Sequence, residues 1–358
     1  MSAHTNPQWK DAQTFRSSFT FKGGVAAGMD GTVSHWQNRT TGQSVAVKTA
    51  NFGRSAILQK EVAVLKKVPP YEYLVALLTD FQDWQPVGPA LVFELAPWGD
   101  MFSYRKALRM QVGGDGVPEI SLWKFLRDMS LGLDWLHNCT GEPHIHGDLK
   151  PENVLVFSPP GWNNQDVPLL PTFKICDVGR LLPLSKTTNF HGTYEFGPPF
   201  AERGVKQTPS CDVYSIGASM QWFALGILPV MSNVEFIKLQ KEEGGPIPSL
   251  QDLKYDEAWR AKLPPVYRPL DASIDFQKHI MKLERPVPPC SHELNKWYAK
   301  ITEVELEKRI SSRSLARKLV PLADIHIQMA NRKRCYEVAR QGYNEANARH
   351  QAKPNWRY

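Results

Sequence analysis

The sequence has no long apolar run. Its longest, roughly Val213 to Val230, is broken by Ser215, Ser219, Gln221 and Pro229, short of the roughly 18–20 clean residues a bilayer span needs. It reads as a buried helix, and no membrane association is expected. Met1 to Lys10 has no apolar core of a secretory signal, so a chain that stays inside the cell, in cytoplasm or nucleus, is expected. Cysteine is scarce: five residues, Cys139, Cys176, Cys211, Cys290 and Cys335, with no C-x-x-C pair. That spacing excludes a disulfide framework and suits a reducing compartment. The sequons at Asn38 and Asn138 therefore carry no expectation of glycosylation. No internal repeat is found. Charge of one sign is also limited, with 43 Lys+Arg against 36 Asp+Glu, a formal +7. This reads as a solvated surface before it reads as a site for acidic partners.

What the chain does have is material for a core. Its 358 residues are 42% hydrophobic and 22% charged, near the globular average, and fit one large two-lobed domain or two small ones. From Phe19 to about Phe93 the pattern is strand-like. Gly23 to Gly31 is predicted as a turn, followed by β-rich runs such as Ser44–Lys48 and Ala90–Glu94. One helix interrupts it, predicted over Ala56 to Val68 and ended by Pro69-Pro70. After Gly99-Asp100 the character becomes helical, with Ser121 expected as the N-cap of a long amphipathic helix to His137. Proline-rich stretches at 158–171, 262–269 and 285–289 read as surface loops. The expected fold class is α+β, a β-rich lobe followed by an α-rich one.

The strongest local signal is His146-Gly-Asp-Leu-Lys-Pro-Glu-Asn153, leading into the apolar strand Val154–Phe157. A carboxylate, an amine two residues on and an amide three beyond can gather an acceptor hydroxyl, a phosphoryl group and a metal in one small volume. Upstream lie Ala26-x-Gly28-x-x-Gly31-x-Val33 and Val45-Ala-Val-Lys48; downstream lie Lys174-Ile-Cys-Asp177-Val-Gly179, Gly192-Thr-Tyr-Glu-Phe-Gly-Pro-Pro199 and Asp212-Val-Tyr-Ser-Ile-Gly217. Singly, these are also readable as a hairpin, surface charges and an Asp-Gly-type turn.

In this order, from about Phe21 to Leu319, the motifs resemble the eukaryotic protein kinase family, Ser/Thr type. The resemblance departs at Ala26, Gly147, Val178 and Phe200, giving HGD, DVG and PPF for the family's HRD, DFG and APE. It implies a small N-lobe (about 19–94) with one main helix and a helical C-lobe (about 99–319), flanked by an extension (1–18) and a basic helical tail (320–358). It further implies ATP and Mg²⁺. Asp148 and Lys150 would act on the acceptor and the moving phosphoryl group, Lys48 would orient phosphates with Glu61 as its ion-pair partner, and Asn153 and Asp177 would hold metal. Gly28 and Gly31 would approach the phosphates. Val33, Ala46 and Leu155 would sandwich the adenine, with Phe93 behind it, Glu94 to Ala96 along its edge and Asp100 near the ribose. Cys176 would face the same pocket, and Leu65, Val178 and His146 would stack. Thr193 would touch Asp148 and Lys150. Arg309 would pair with Glu202, or Phe200 would pack there with no pair. Glu152 and Asp100 match positions that select arginine before the acceptor residue.

The resemblance thus implies phosphoryl transfer to Ser/Thr hydroxyls of protein substrates. The alternative is a catalytically weak pseudokinase scaffold, supported by the four departures, and a small-molecule kinase ranks third. The tail, with Ile325, Met329, Tyr336 and Val338 at imperfect helical spacing and His350 to Tyr358 expected to fray, is read as a helix packed on the large lobe. A nucleic-acid arm is the less favoured reading.

Overall fold

Alternating β-branched and aromatic residues give the first part of the chain two usable faces, because successive strand side chains point in opposite directions. The computed structural model describes residues 9–28, 31–86, 88–114, 116–163 and 165–351, with the backbone alone at 180, 334–339 and 341–351. Its main sheet has the order β1-β2-β3-β5-β4, formed by β1 (Phe19–Ala27), β2 (Gly31–Asn38), β3 (Ser44–Ala50), β4 (Leu77–Phe81) and β5 (Ala90–Glu94). All neighbours pair antiparallel.

The turn expected over Gly23 to Gly31 is shorter than that. β1 runs through Ala27, and its pairing with β2 slips on either side of Gly23-Gly24, as bulges do. The reversal is confined to the residues after Ala27, where the Gly28 N–H donates to the Gly31 carbonyl at 2.9 Å.

The two faces of the sheet are covered by different helices. α1 (Ala12–Ser18), capped by the Asp11 side chain on the Thr14 N–H, lays Phe15 against Trp9, Phe19, Phe81 and Trp84 on the face that carries Val45, Val47 and Val92. α2 (Ser55–Leu65) places Leu58 and Val62 against Leu91 on the other face. The small lobe therefore has two helices, and Trp9, Ala12 and Phe15 from the N-terminal extension are buried in its core. The expected helix over Ala56 to Val68 ends early, with Lys66 as its C-cap; Val68 is buried in the turn that follows.

The large lobe comprises α3 (Met101–Val112), α4 (Glu119–Asn138), β6 (His144–Ile145), β7 (Val154–Phe157), β8 (Thr172–Ile175), β9 (Leu182–Pro183), α5 (Phe200–Arg203), α6 (Pro209–Leu225), α7 (Asn233–Glu242), α8 (Leu250–Tyr255), α9 (Glu257–Arg260), α10 (Ile274–His279), α11 (His292–Ile301) and α12 (Ser312–Gln351). α6 is buried from Cys211 to Leu225 without a solvent face, as an all-round apolar helix must be. Ser121 is not the N-cap of α4. The cap falls three residues earlier, at Pro118, and the Ser121 hydroxyl donates to the Leu169 carbonyl at 2.7 Å.

The proposed boundary at 319/320 falls inside α12, whose Leu315, Leu319 and Ala323 are buried in the lobe's core. Arg127 to Asp324 at 2.5 Å and the stack of His326 on Trp123 at 4.4 Å continue its seam against α4. Ile325 and Met329 are 54% and 62% exposed, because the seam turns past them through Asp324 and His326. The side chains of Tyr336 and Val338, and residues 352–358 altogether, lie outside the described residues.

Candidate active site

Lys48 and Ala46 share one face of β3, and Val33 stands opposite Lys48 in the β2–β3 ladder. From there the Lys48 ammonium donates to both Glu61 oxygens, at 2.9 and 2.7 Å, and to Asp177 Oδ1 at 3.2 Å. Glu61 is 4% exposed. Burial works against the Lys48 charge, but the two carboxylates outweigh it and hold the ammonium's pKa above the usual lysine value. Gly179 explains the close fit, since a Cβ there would come within 2.5 Å of Glu61 Cγ. Asp177 itself is left-handed at φ 57°, a conformation Asp tolerates better than most residues. Val178, smaller than the expected Phe, is buried in the core against which Leu65 packs.

The catalytic-loop residues are held from beneath. Asp212, on the fully buried face of α6, accepts the backbone N–H groups of His146 and Gly147, both at 2.8 Å, and lies 2.9 Å from His137 Nε2. Burial would raise the Asp212 carboxyl's pKa; its His137 and backbone partners instead keep it below the ordinary aspartate range. His137 Nδ1 is 3.0 Å from Ser312 Oγ, so the first residue of α12 touches this brace. On the cleft side, Asp148 Oδ1 accepts the N–H of Thr193 at 2.7 Å and its hydroxyl at 2.8 Å, and Lys150 Nζ donates to Thr193 Oγ1 at 2.7 Å. Lys150 also stands 3.4 Å from Asp148 Oδ2.

Asn153 donates its amide to the Asp148 carbonyl at 2.8 Å, which leaves the side-chain oxygen as its ligand-type atom. Its own backbone carbonyl accepts the Cys176 N–H at 3.0 Å, bringing it beside Asp177. Among the described residues no three His, Cys, Asp or Glu side chains gather as a metal cage. Two oxygen donors without such a cage suit Mg²⁺, which retains waters and phosphate ligands. Asn153 and Asp177 therefore fit the ion that the resemblance implies.

Toward the other end of the cleft, Leu155 bridges Asp100, and Asp100 caps α3 by accepting the Ser103 N–H at 2.8 Å. The Glu94 side chain turns away from an adenine edge. It takes Lys174 Nζ at 2.8 and 2.9 Å and the Ala76 N–H at 2.8 Å, tying the segment between the lobes to β8. Phe93 packs beside Leu58, Val62 and Leu91, while the Ala96 carbonyl accepts the Gly99 N–H at 3.2 Å. Gly31 answers a packing demand in addition to any phosphate, since a Cβ there would collide with the Thr49 carbonyl. Ala26 pairs with Val33 just after the slip at Gly24, with no positive φ that would demand glycine. Cys176 is not an activated thiol: burial first, then the Asp177 charge, push it well above the usual range.

Of the two arrangements left open at the PPF segment, the pair is formed. Arg309 meets Glu202 in a bidentate contact of 2.9 and 2.5 Å, and Phe200 is half exposed beneath the Arg203 guanidinium. Arg203 also donates to the carbonyls of Pro198 and Tyr194, and Arg260 clamps Glu195 at 2.8 Å through two nitrogens. Together they fix the segment that carries Thr193. Arg203 and Arg260, with Lys174 and Gln207, escape a reading of the sequence because their partners lie up to 80 positions away or are backbone carbonyls, which leave no composition signal.

An ammonium shared by a helix acid and a left-handed Asp, over a loop whose Asp, Lys and Asn converge, defines the interlobe cleft of a protein kinase fold. The chain belongs to the protein kinase family: the family's sequence model, "Protein kinase domain", matches residues 19–320. It is 29% identical over 213 residues to mitogen-activated protein kinase kinase kinase 18 of Arabidopsis thaliana, covering 57% of this chain and 58% of that one. It is 28% identical over 238 residues to serine/threonine-protein kinase 33 of Mus musculus, covering 63% and 45%. It is 37% identical over 187 residues to a putative mitogen-activated protein kinase kinase kinase 7-like protein of Drosophila melanogaster, covering 50% and 42%. The chain thus spans about half the length of these relatives. No helix among the described residues is long and apolar enough to cross a membrane.

Proposed function

We propose that this chain transfers the terminal phosphoryl group of ATP to Ser/Thr hydroxyls of protein substrates, with Mg²⁺. The observation that carries the reading is Lys48 held by Glu61 and Asp177 at once: a fixed positive charge beside a metal-type carboxylate is the arrangement phosphate positioning requires. Asp148 would orient the acceptor hydroxyl and take its proton as the oxygen bonds to phosphorus and ADP departs. Lys150, already within reach of Asp148 and Thr193, would offset charge on the moving phosphoryl group. Mg²⁺, when bound, neutralises phosphate charge, and Asn153 and Asp177 would hold it. Val33, Ala46 and Leu155 would flank the adenine.

Two of the four departures that favour a scaffold have local explanations: Ala26 pairs with Val33 without a positive φ, and Glu202 takes up the ion pair beside Phe200. The test is phosphate transfer from radiolabelled ATP to a generic protein, comparing wild type with Asp148→Asn, Lys48→Met and Asp177→Ala. Each variant should stay folded and lose at least about 100-fold, the scale of one positioned charge. Equal transfer by all four proteins would overturn the reading. A folded wild type that binds nucleotide yet transfers nothing would make the chain a scaffold.

A further inference from the structure

A buried polar side chain outside the catalytic set stands where the catalytic loop meets the segment leading to Thr193. Gly147, at φ 72°, occupies a left-handed conformation that side chains adopt only with strain. A Cβ there would come within 2.9 Å of Gln207 Oε1. Gln207 is 4% exposed, and that oxygen has no hydrogen-bond partner. The space beside Gly147 is therefore filled from the outside, by a neutral amide reaching in from the chain ahead of α6.

The same residue holds the neighbouring segment at three points. Its Nε2 donates to the Asn189 carbonyl at 3.0 Å. Its backbone N–H donates to the Thr188 carbonyl at 2.9 Å, and its carbonyl accepts the Thr187 hydroxyl at 3.0 Å. Three residues beyond Asn189, Gly192 passes so close that any Cβ would collide with the Gly147 carbonyl. The next residue is Thr193, which binds Asp148 through both its N–H and its hydroxyl. A small cavity of about 250 Å³ beside this crossing, lined by Gly147, Asp148, Thr188, His191 and Gln207 among others, has no lysine or arginine among its described lining residues.

The geometry points to Gln207 as a positioning residue: by plugging the space that Gly147 leaves empty and holding residues 187–189, it sets the path of the chain to Thr193 and so the placement of Asp148. Gln207 and Gly147 then act as a matched pair, each tolerable only with the other. Gln207 touches neither ATP nor the acceptor, so its effect falls on the turnover rate and on the order of the segment, and not on nucleotide affinity. The activity part of this inference rests on the phosphotransfer reading; the conformational part does not.

Two measurements test it on the full chain. In hydrogen–deuterium exchange, Gln207→Ala and Gln207→Glu, both of which remove the donor to Asn189, should speed exchange of residues 184–193 at least fivefold, with β3 and α2 unchanged. In phosphate transfer, Gln207→Ala should lower kcat about tenfold with the KM for ATP within twofold. Gly147→Arg alone should lose at least tenfold, and the double variant Gly147→Arg/Gln207→Ala should regain at least fivefold over Gly147→Arg, since the enlarged side chain then has room. Gly147→Ala with the same partner gives the second cycle, should the arginine variant not fold. Unchanged exchange in both Gln207 variants, or losses that simply multiply in the double variants, would overturn the inference. If no protein transfers phosphate, the exchange arm still decides it, separating its failure from failure of the enzymatic reading.

Discussion

Single side chains in this protein are held by partners far away in sequence, and the Glu202–Arg309 pair shows how much depends on one of them. Both side chains are almost wholly buried, and Arg309 also donates to the carbonyls of Glu303 and Ser210. Breaking a buried pair from one side leaves an uncompensated charge and costs about 3–5 kcal/mol, whereas removing both charges together is often close to neutral. Glu202→Ala should therefore lower unfolding stability by about 3–5 kcal/mol in a urea titration, and Glu202→Leu combined with Arg309→Met should recover most of it. A single variant costing under about 1 kcal/mol would mean the pair is solvated in solution, as exposed pairs are. The sequence exposed both residues as candidates, because each stands near a recognisable motif. It left open which of Phe200 and Glu202 faces Arg309, since two residues in a one-turn helix can each be aimed inward until the packing around Arg203 is known.

Elements were legible where periodicity and breakers agreed. α2 precedes a double proline and α6 carries most of the longest apolar stretch in the chain, and both were placed within a few residues. α1 was not legible: seven residues offer too few turns for a period, and its stability comes from the aromatic cluster it completes and not from its own propensity. Phe15 is fully buried and stacks on Phe19 at 4.2 Å, so Phe15→Ala should destabilise the chain by about 3–5 kcal/mol, measured as a fall in the urea midpoint. A change within about 0.5 kcal/mol would mean that α1 is not docked. α12 spans the proposed 319/320 boundary because its apolar seam begins before the motif-bearing region ends. The segment between β9 and α5 carries the regulatory consequence. Thr187 is 7% exposed, with its hydroxyl bonded to the Leu184 and Gln207 carbonyls at 3.0 Å each, while Ser185 and Thr188 are exposed. Thr187 is held by neutral carbonyls, and Thr193 and Glu195 by the charges of Asp148 and Arg260, so no phosphate is needed to order the segment. Protein free of phosphate at Ser185, Thr187 and Thr188 should phosphorylate substrate at a rate similar to the modified form. A tenfold rise on modification would contradict this.

Across the whole molecule, net charge and local charge pull in opposite directions. The formal +7 repels basic peptides at long range, yet Glu152, Asp100 and Asp148 interact at the mouth of the cleft. Desolvation holds the Glu152 carboxyl above the usual glutamate range; its backbone hydrogen bond and Lys150 pull it down, and the charges of Asp100 and Asp148 add to the rise, so a guanidinium would find three carboxylates to pair with. With screening over roughly 8 Å at physiological salt, the local acids should prevail. A positional peptide library should show arginine enriched two or three residues before the acceptor, and Glu152→Gln should weaken it. An acidic or proline-directed profile unchanged in that variant would reject the idea. The Asp100 side chain is partly committed to capping α3, so Glu152 should carry the larger share of any such selection.

The joint between α4 and α12 offers a practical handle. Cys139, the C-cap of α4, is a free and exposed thiol, while burial raises Cys211 to about 11 and Cys290 to about 12 and Cys176 higher still. Arg313 of α12 donates to the Asn138 carbonyl one residue before it, and Ser312 reaches His137 two residues before it. With Cys335 changed to serine, a maleimide fluorophore would load at this one position, and its polarisation would report in real time whether the long helix stays seated on the residues that brace the catalytic loop.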